Sequence, residues 1–486
     1  MDFLARTVIT RRGGGRRGTA PGPVASERPA RAEAPDLDGV VAGATRAHRT
    51  FSSWTERDVD DLIGAVARAV AARSEQLAVA TVAETGVGRV EDKIIKNRFA
   101  SAEVSASLLG EPGVGVWGRD DETGILRIAD PMGVVAGLVP VTNPVATTVF
   151  KALICLKSRN ALVVSPHRAA RRVTIATVDL VREVLGRHGA PPDLVQVLRK
   201  RSDRATTAVL MAHSGVDLVL ATGGPALVRA AYSSGTPAIG VGAGNAPVWV
   251  ARDADVGHAA ELVVTGKAFD HGVICGSENH LVVDAAVRRP FLGALAEQGA
   301  LVLTGAQCRR LRRAAFDDDG RLRPALVGRS PQSLAREAGI EAPAGIRVLV
   351  APVPESAAGG PYGREKLAPL LSMFTVAGDD AALELCRRLL DNGGRGHTAV
   401  VHSGDPRRHA AFARAMPTSR TLVNSSGALG CIGHGNGLSP SLTLGCGTYG
   451  GTSTTDNITY RHLLNIKRLV LPTASPGRAP VAVASH

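Results

Sequence analysis

One stretch of the chain is built around a thiol: Phe269-Asp270-His271-Gly272-Val273-Ile274-Cys275-Gly276-Ser277-Glu278-Asn279. Cys275 stands between small residues, just after an apolar pair and just before an apolar run at residues 281–283. Gly272 and Gly276 leave room for backbone and substrate to approach the sulfur. A thiol placed there becomes a nucleophile if backbone N–H groups or a helix start lower its pKa. Otherwise it is a small buried hydrophobe, as most free cysteines are. On this stretch alone both readings stay open. Glu278 reads as a helix-start or structural residue.

The rest of the chain must position that thiol. Its 486 residues exceed a single core, so two domains are expected. Apolar residues make up 44% and charged residues 21%, the balance of an ordinary globular protein. No apolar run reaches the length of a membrane span; the most apolar, residues 133–150, is broken by Pro140, Asn143 and Pro144. The first residues carry arginines but no apolar core, which excludes a secretory signal. Six scattered cysteines without a C-x-x-C pair argue against a metal site and a disulfide framework, and fit a reducing cytoplasm. The net charge of +13 comes mostly from dispersed arginine with few aromatics. That points to an anionic cofactor or substrate and away from nucleic acid.

Residues 1–36, with RRGGGRRG, lack periodic apolar residues and are expected to be a disordered basic extension. Residues 471–486 are expected to be a disordered tail. A helix capped by Thr55 runs toward Gly86, with Val59, Leu62, Ile63, Val66 and Val70 on one face. A second spans about 91–109 with Ile94, Ile95 and Phe99 inward, and residues 111–130 read as a strand pair. From Gly133 continuous apolar strands alternate with helices to Val241, and a second unit repeats the alternation to about 430. This is an α/β pattern: a doubly wound parallel sheet at 37–243, expected to bind a nucleotide, plus a second α/β catalytic domain at 244–439. A segment at 440–470 returns to the first unit.

With these pieces assembled the chain resembles the CoA-acylating branch of the aldehyde dehydrogenases, over about residues 40–470. Six motifs in order carry the resemblance: PMGVVAGLVPVTNP (131–144), KALICLKSRNALVVSPH (151–167), AYSSGTPAIGVGAGNAP (231–247), FDHGVICGSEN (269–279), REKLAPLL (364–371) and LTLGCGTYGGTSTTDNITYRHLLNIK (442–467). It implies that Cys275 is the nucleophile, which adds to an aldehyde, loses hydride to NAD (NADP possible) and passes the acyl group to coenzyme A as co-substrate. Asn143 and the Cys275 backbone N–H are the expected oxyanion donors. Aligned on Pro144, Thr142 instead takes the place of the asparagine of hydrolytic relatives. For the cofactor the resemblance implies Thr142, Ser165, Pro166 and His167 after one strand, the Thr222-Gly223-Gly224 corner, Gly242, and Glu365 on the nicotinamide ribose. A homo-oligomer, joined through the hairpin near 111–130 and residues 445–470, is implied as well.

The branch follows from an absence. Hydrolytic relatives keep a water-activating glutamate in E-L-G-G-K; the matching stretch here is Val241-Gly242-Ala243-Gly244-Asn245. Without that base a stronger nucleophile than water is needed. Acetaldehyde or a similar short aldehyde is the expected substrate and sulfoacetaldehyde the rival. A hydrolytic dehydrogenase and, from another class, a non-catalytic basic binding protein are the remaining readings.

Overall fold

The computed structural model describes residues 37–200 and 203–472. The N-terminal extension expected at 1–36 and all but the start of the tail expected at 471–486 lie outside the described residues. A helix unmarked in the sequence reading comes first, α1 (Leu37–Phe51), which buries Leu37, Val41, Ala44, Ala47 and Phe51. The long helix expected from Thr55 is two, α2 (Glu56–Ala72) and α3 (Ser74–Thr85), broken at Arg73. Thr55 caps α2 as its type predicts, accepting the Asp58 N–H at 3.2 Å. Gly86 ends α3 with φ +66°, the left-handed turn that glycine tolerates best.

The next helix, α4 (Val90–Arg98), corrects the expected inward face. Ile95 is 49% exposed, while Asp92, Lys93, Lys96 and Asn97 are buried. The apolar spacing misled because the inner face of α4 meets a buried carboxylate and not a hydrophobic core.

Three sheets follow. The hairpin β1 (Gly115–Asp120) and β2 (Ile125–Pro131) gains a third antiparallel strand, β15 (Leu464–Val470), from the far end of the chain. Between them in sequence lie β3 (Val134–Val139), β4 (Ala161–Pro166), β5 (Val195–Val197), β6 (Leu218–Ala221) and β7 (Ala238–Gly240). These form a parallel sheet in the order β5-β4-β3-β6-β7. The chain reverses direction between β3 and β6, and loops beyond the strand C-termini at such a switch point make a ligand crevice. The strands β8 (Ala246–Val250), β9 (Glu278–Asp284), β10 (Ala300–Val302), β11 (Val348–Pro352), β12 (Leu370–Val376), β13 (Gly396–His402) and β14 (Thr418–Val423) make the second parallel sheet. Its order is β10-β11-β12-β9-β8-β13-β14. Strands β3, β4, β8, β9 and β13 are buried at every position; β3 and β8 read as unbroken apolar runs, whereas β9 and β13 bury polar residues at their ends. Asn160 helps tie the returning segment in: its Oδ1 accepts the Gly133 N–H and its Nδ2 donates to the Leu463 carbonyl, both at 2.7 Å.

Candidate active site

Cys275 lies in the turn between a short 3-10 segment, Phe269–Gly272, and the first residue of β9. It is partly exposed, whereas the other five cysteines are buried; all six are free thiols. No helix starts at the thiol. Burial, followed by the neighbouring Glu365 carboxylate and the Cys446 thiol, pushes Cys275 up to about 12. The condition set in the sequence reading, a lowered thiol pKa, is therefore not met by this pocket by itself. Of the two readings of Glu278, the structural one holds. The residue opens β9, is buried, and accepts the Gly427 N–H at 2.5 Å.

Close backbone approach fixes the thiol segment. A Cβ at Gly244 would fall 1.6 Å from the Cys275 carbonyl oxygen, so only glycine fits there. A Cβ at Gly276 would fall 2.3 Å from the Cys431 sulfur. Gly242 packs beside Cys446, its added Cβ 3.2 Å from that sulfur. Gly244 thus packs against the backbone of Cys275, while Gly242 packs against Cys446. Val241 is buried beside them at 5% exposure, its N–H on the Ala221 carbonyl at 3.3 Å.

Glu365 is held near the thiol by a wired loop. Asn245 donates to the Gly363 carbonyl at 3.0 Å and accepts from His280 at 2.8 Å. The Lys366 ammonium donates to the Tyr362 and Arg364 carbonyls at 3.1 and 2.9 Å, and the Lys366 N–H to Asn279 at 2.8 Å. Burial raises Glu365 to about 7, against the pull of Lys267 and the Gly244 N–H. Burial lowers Lys267 to about 7 in turn.

The residues expected at the cofactor line the C-terminal edge of the first sheet. Thr142 and Asn143 follow β3, Ser165 and Pro166 end β4, and Thr222, Gly223 and Gly224 follow β6. Pairing sets Leu138 beside both Ser165 and Ala221, so the three loops stand side by side at the switch point. Ser165 shares a 3.0 Å hydrogen bond with Thr207, and Thr222 one of 3.0 Å with Thr443. His167 is exposed, with Nδ1 accepting the Ala169 N–H at 3.2 Å. Gly224 caps the helix Pro225–Tyr232, and a Cβ there would meet nothing within 4 Å. An open helix N-terminus at a switch point fits the pyrophosphate of a dinucleotide.

The sequence reading passed over several residues here. His397, near the start of β13, is buried; its Nδ1 shares a 2.9 Å hydrogen bond with Thr398 and its Nε2 has no partner. Burial and the nearby Arg420 press it down to about 3, so it is neutral. Arg420 donates to Gly445 at 2.6 Å and to Thr455 and Asn457 at 3.2 Å, fixing the 440–460 segment around Cys446. Lys93, Lys96 and Asp270 form a buried ionic knot behind the thiol turn.

This geometry matches known proteins. The sequence profile of the aldehyde dehydrogenase family matches residues 24–310. The chain belongs to the aldehyde dehydrogenase family. It is 39% identical over 437 residues to the bifunctional aldehyde–alcohol dehydrogenase of Escherichia coli K12, covering 89% of this chain and 49% of that one. The chain thus spans about half the length of several curated relatives it matches. It is 38% identical to an acylating sulfoacetaldehyde dehydrogenase of Cupriavidus necator, covering 92% of this chain and 91% of that one. Its fold superposes with a TM-score of 0.88 on an acetylating aldehyde dehydrogenase from Geobacillus thermoglucosidasius, at 39% identity over 91% of this chain and 98% of that one. A propionaldehyde dehydrogenase from Rhodopseudomonas palustris, solved with bound CoA and an acylated cysteine, gives 0.82 at 28% identity over 90% and 97%. As an aldehyde dehydrogenase the chain is an oxidoreductase. No helix among the described residues is long and apolar enough to cross a membrane.

Proposed function

We propose that this aldehyde dehydrogenase is of the CoA-acylating kind: it oxidises a short-chain aldehyde, acetaldehyde or a near homologue, with NAD and passes the acyl group to coenzyme A. One observation carries the reading. The buried apolar Val241 stands where hydrolytic members keep their water-activating glutamate, just before the run in which Gly244 packs against the Cys275 backbone. Water is therefore a poor acceptor here, and a thiol takes its place.

In this reading residues 37–243 bind the cofactor and residues 244–439 hold the catalytic groups. Cys275 adds to the aldehyde carbonyl, and the Asn143 amide with the Cys275 N–H holds the resulting oxyanion. Thr142, Ser165, Pro166, His167, the 222–224 corner, Gly242 and Glu365 hold the dinucleotide, which when bound accepts the hydride. The thioester left on Cys275 is attacked by the CoA thiol. We place the protein in the cytoplasm, in keeping with its six free thiols. We assign homo-oligomer contacts to the β1-β2-β15 sheet, where Val116 and Val470 are exposed at 63% and 65%.

Sulfoacetaldehyde is the second substrate to weigh. It is favoured by the full-length match to an acylating sulfoacetaldehyde dehydrogenase, and by Arg420, a cation whose charge reaches the thiol. NADH formation is followed with acetaldehyde and with sulfoacetaldehyde, each with and without CoA. Without CoA a burst of at most about one NADH per active site is expected, then a slow phase. Adding CoA starts turnover and yields acyl-CoA, and Cys275→Ala yields neither. Rapid steady NADH formation without CoA, with free acid as product, overturns the acylating reading.

A further inference from the structure

The inner face of α4 is a place where two lysines are buried for no reason of packing. The Lys93 and Lys96 side chains are 3% and 2% exposed. An ammonium taken out of water must be paired and hydrogen-bonded. Both pair with one carboxylate, Asp270, which is fully buried: Lys93 at 2.9 Å, and Lys96 on the same oxygen, Oδ2. The other oxygen, Oδ1, accepts the Arg89 N–H at 2.8 Å, and the Asp270 N–H donates to Asp92 at 2.8 Å.

Asp270 is also strained. Its φ is +48° and that of His271 is +53°, a region non-glycine residues avoid at a cost of about 1–3 kcal/mol each. Such strain persists where surroundings over-determine it. Gly88 passes so close that a Cβ there would fall 1.9 Å from Oδ1, and the His271 ring nitrogen Nδ1 is 3.0 Å from the Gly328 carbonyl. The strained pair lies four and five residues before Cys275.

The same lysines reach the loop after β3. Lys93 donates to the Thr142 carbonyl at 3.0 Å, and Lys96 donates to Oδ1 of Asn143. An ammonium has no acceptor, so the Asn143 oxygen must face Lys96 and its NH2 must face away. That NH2 gives one hydrogen bond, to the Thr142 hydroxyl at 3.2 Å, and keeps a second N–H. A cation on the amide oxygen also polarises the amide, which strengthens the remaining N–H as a donor.

We infer that Lys96 is a positioning residue: bridging Asp270 and Asn143, it fixes which way the Asn143 amide faces and ties that donor to the turn that carries Cys275. The inference rests on the reading of Asn143 as an oxyanion donor. Its chemical content is that Lys96 acts through Asn143 and touches no reacting atom.

The test is a double-mutant cycle on the pre-steady-state NADH burst, with acetaldehyde, NAD and no CoA, in wild type, Asn143→Ala, Lys96→Met and the double variant. Asn143→Ala is expected to slow the burst by about 100-fold, the usual loss for one oxyanion donor. Lys96→Met is expected to slow it by about tenfold or more, with unchanged NAD affinity. Lys93 stays on Asp270 in that variant, which keeps the carboxylate paired. The double variant should be no slower than Asn143→Ala within about threefold, because the two residues act as a unit. Circular dichroism and thermal melting check the fold. If Lys96→Met does not fold, the cycle is run with Lys96→Ala, which leaves room for water and, like methionine, cannot donate to Asn143. An unslowed Asn143→Ala enzyme removes the oxyanion reading itself. A slow Asn143→Ala enzyme with multiplicative losses in the double variant, or with a full-speed Lys96 variant, overturns the role of Lys96 alone.

Discussion

The Cys275 thiol of the free enzyme should be slow to alkylate and should not level off at alkaline pH. Burial, Glu365 and Cys446 set it at about 12. At pH 7 only about one thiol in 100,000 is then ionised, and ionising it costs about 7 kcal/mol. The rate with iodoacetamide should therefore climb steadily, by about 1,000-fold between pH 7 and 10. An unperturbed thiol near 8.5 would gain about 30-fold over that range and then plateau. Glu365 itself titrates near 7, so above that pH its charge opposes the thiolate. Glu365→Gln removes the charge and should speed alkylation several-fold at pH 9. The cationic nicotinamide of bound NAD should speed it in wild type at pH 7. The assay is mass spectrometry of the Cys275 peptide over time, with Cys275→Ala as the blank; the other cysteines are buried and react later. A plateau near pH 8–9 with no response to Glu365→Gln would refute the claim that burial and Glu365 hold the thiol protonated.

Two further outcomes follow from the same pocket. Gly244→Ala drives a Cβ into the Cys275 carbonyl, 1.6 Å away, and should cut kcat/KM by about 100-fold or more. Gly242→Ala meets a sulfur at 3.2 Å and should lose far less, so equal losses in steady-state assays would contradict the geometry. Glu278 is raised by burial to about 7 and its Oε2 has no partner. Its folded pKa exceeds the unfolded value, so the stability it contributes is complete below about pH 4.5 and is lost as pH rises through 7. Glu278→Gln should remove that loss and raise stability relative to wild type at pH 8, on the order of 1–3 kcal/mol, with little change at pH 5. Parallel curves of Tm against pH for the two proteins would show that Glu278 is not the titrating group.

Much of the scaffold was legible because it obeys local rules. Strand β8 falls at residues 246–250 as expected, since a strand buried on both faces is an unbroken apolar run. Thr55 capped its helix. The failures also have local causes. Strand β10 has three residues, too few for a periodic signal, and β12 lies in the motif at 364–371 and beyond, where no strand was expected. In α4 the rule inverted: Lys93 and Lys96 are inside and Ile95 is outside, because their partner is a carboxylate 177 residues away from Lys93 and not an oily surface.

The site divides along the same line. Cys275, the glycines beside it and the loops after β3, β4 and β6 announce themselves through small residues and strand ends, which are local features. His397, Arg420, Lys96 and Asp270 do not, since each is defined by what it meets across the fold. Asp270 drew no reading of its own in the sequence; it is the residue on which α4, the thiol turn and, through Lys96, the Asn143 loop converge. A buried charge with a strained backbone is costly, and nothing in the packing of the first sheet requires it. Its place, five residues before the thiol and one ammonium away from Asn143, puts the cost where precision of attack matters most. Small displacements of reacting groups are worth about 100-fold in rate; in the proposed reading a rigid ionic tie between the thiol turn and the Asn143 loop holds that geometry more sharply than apolar packing alone.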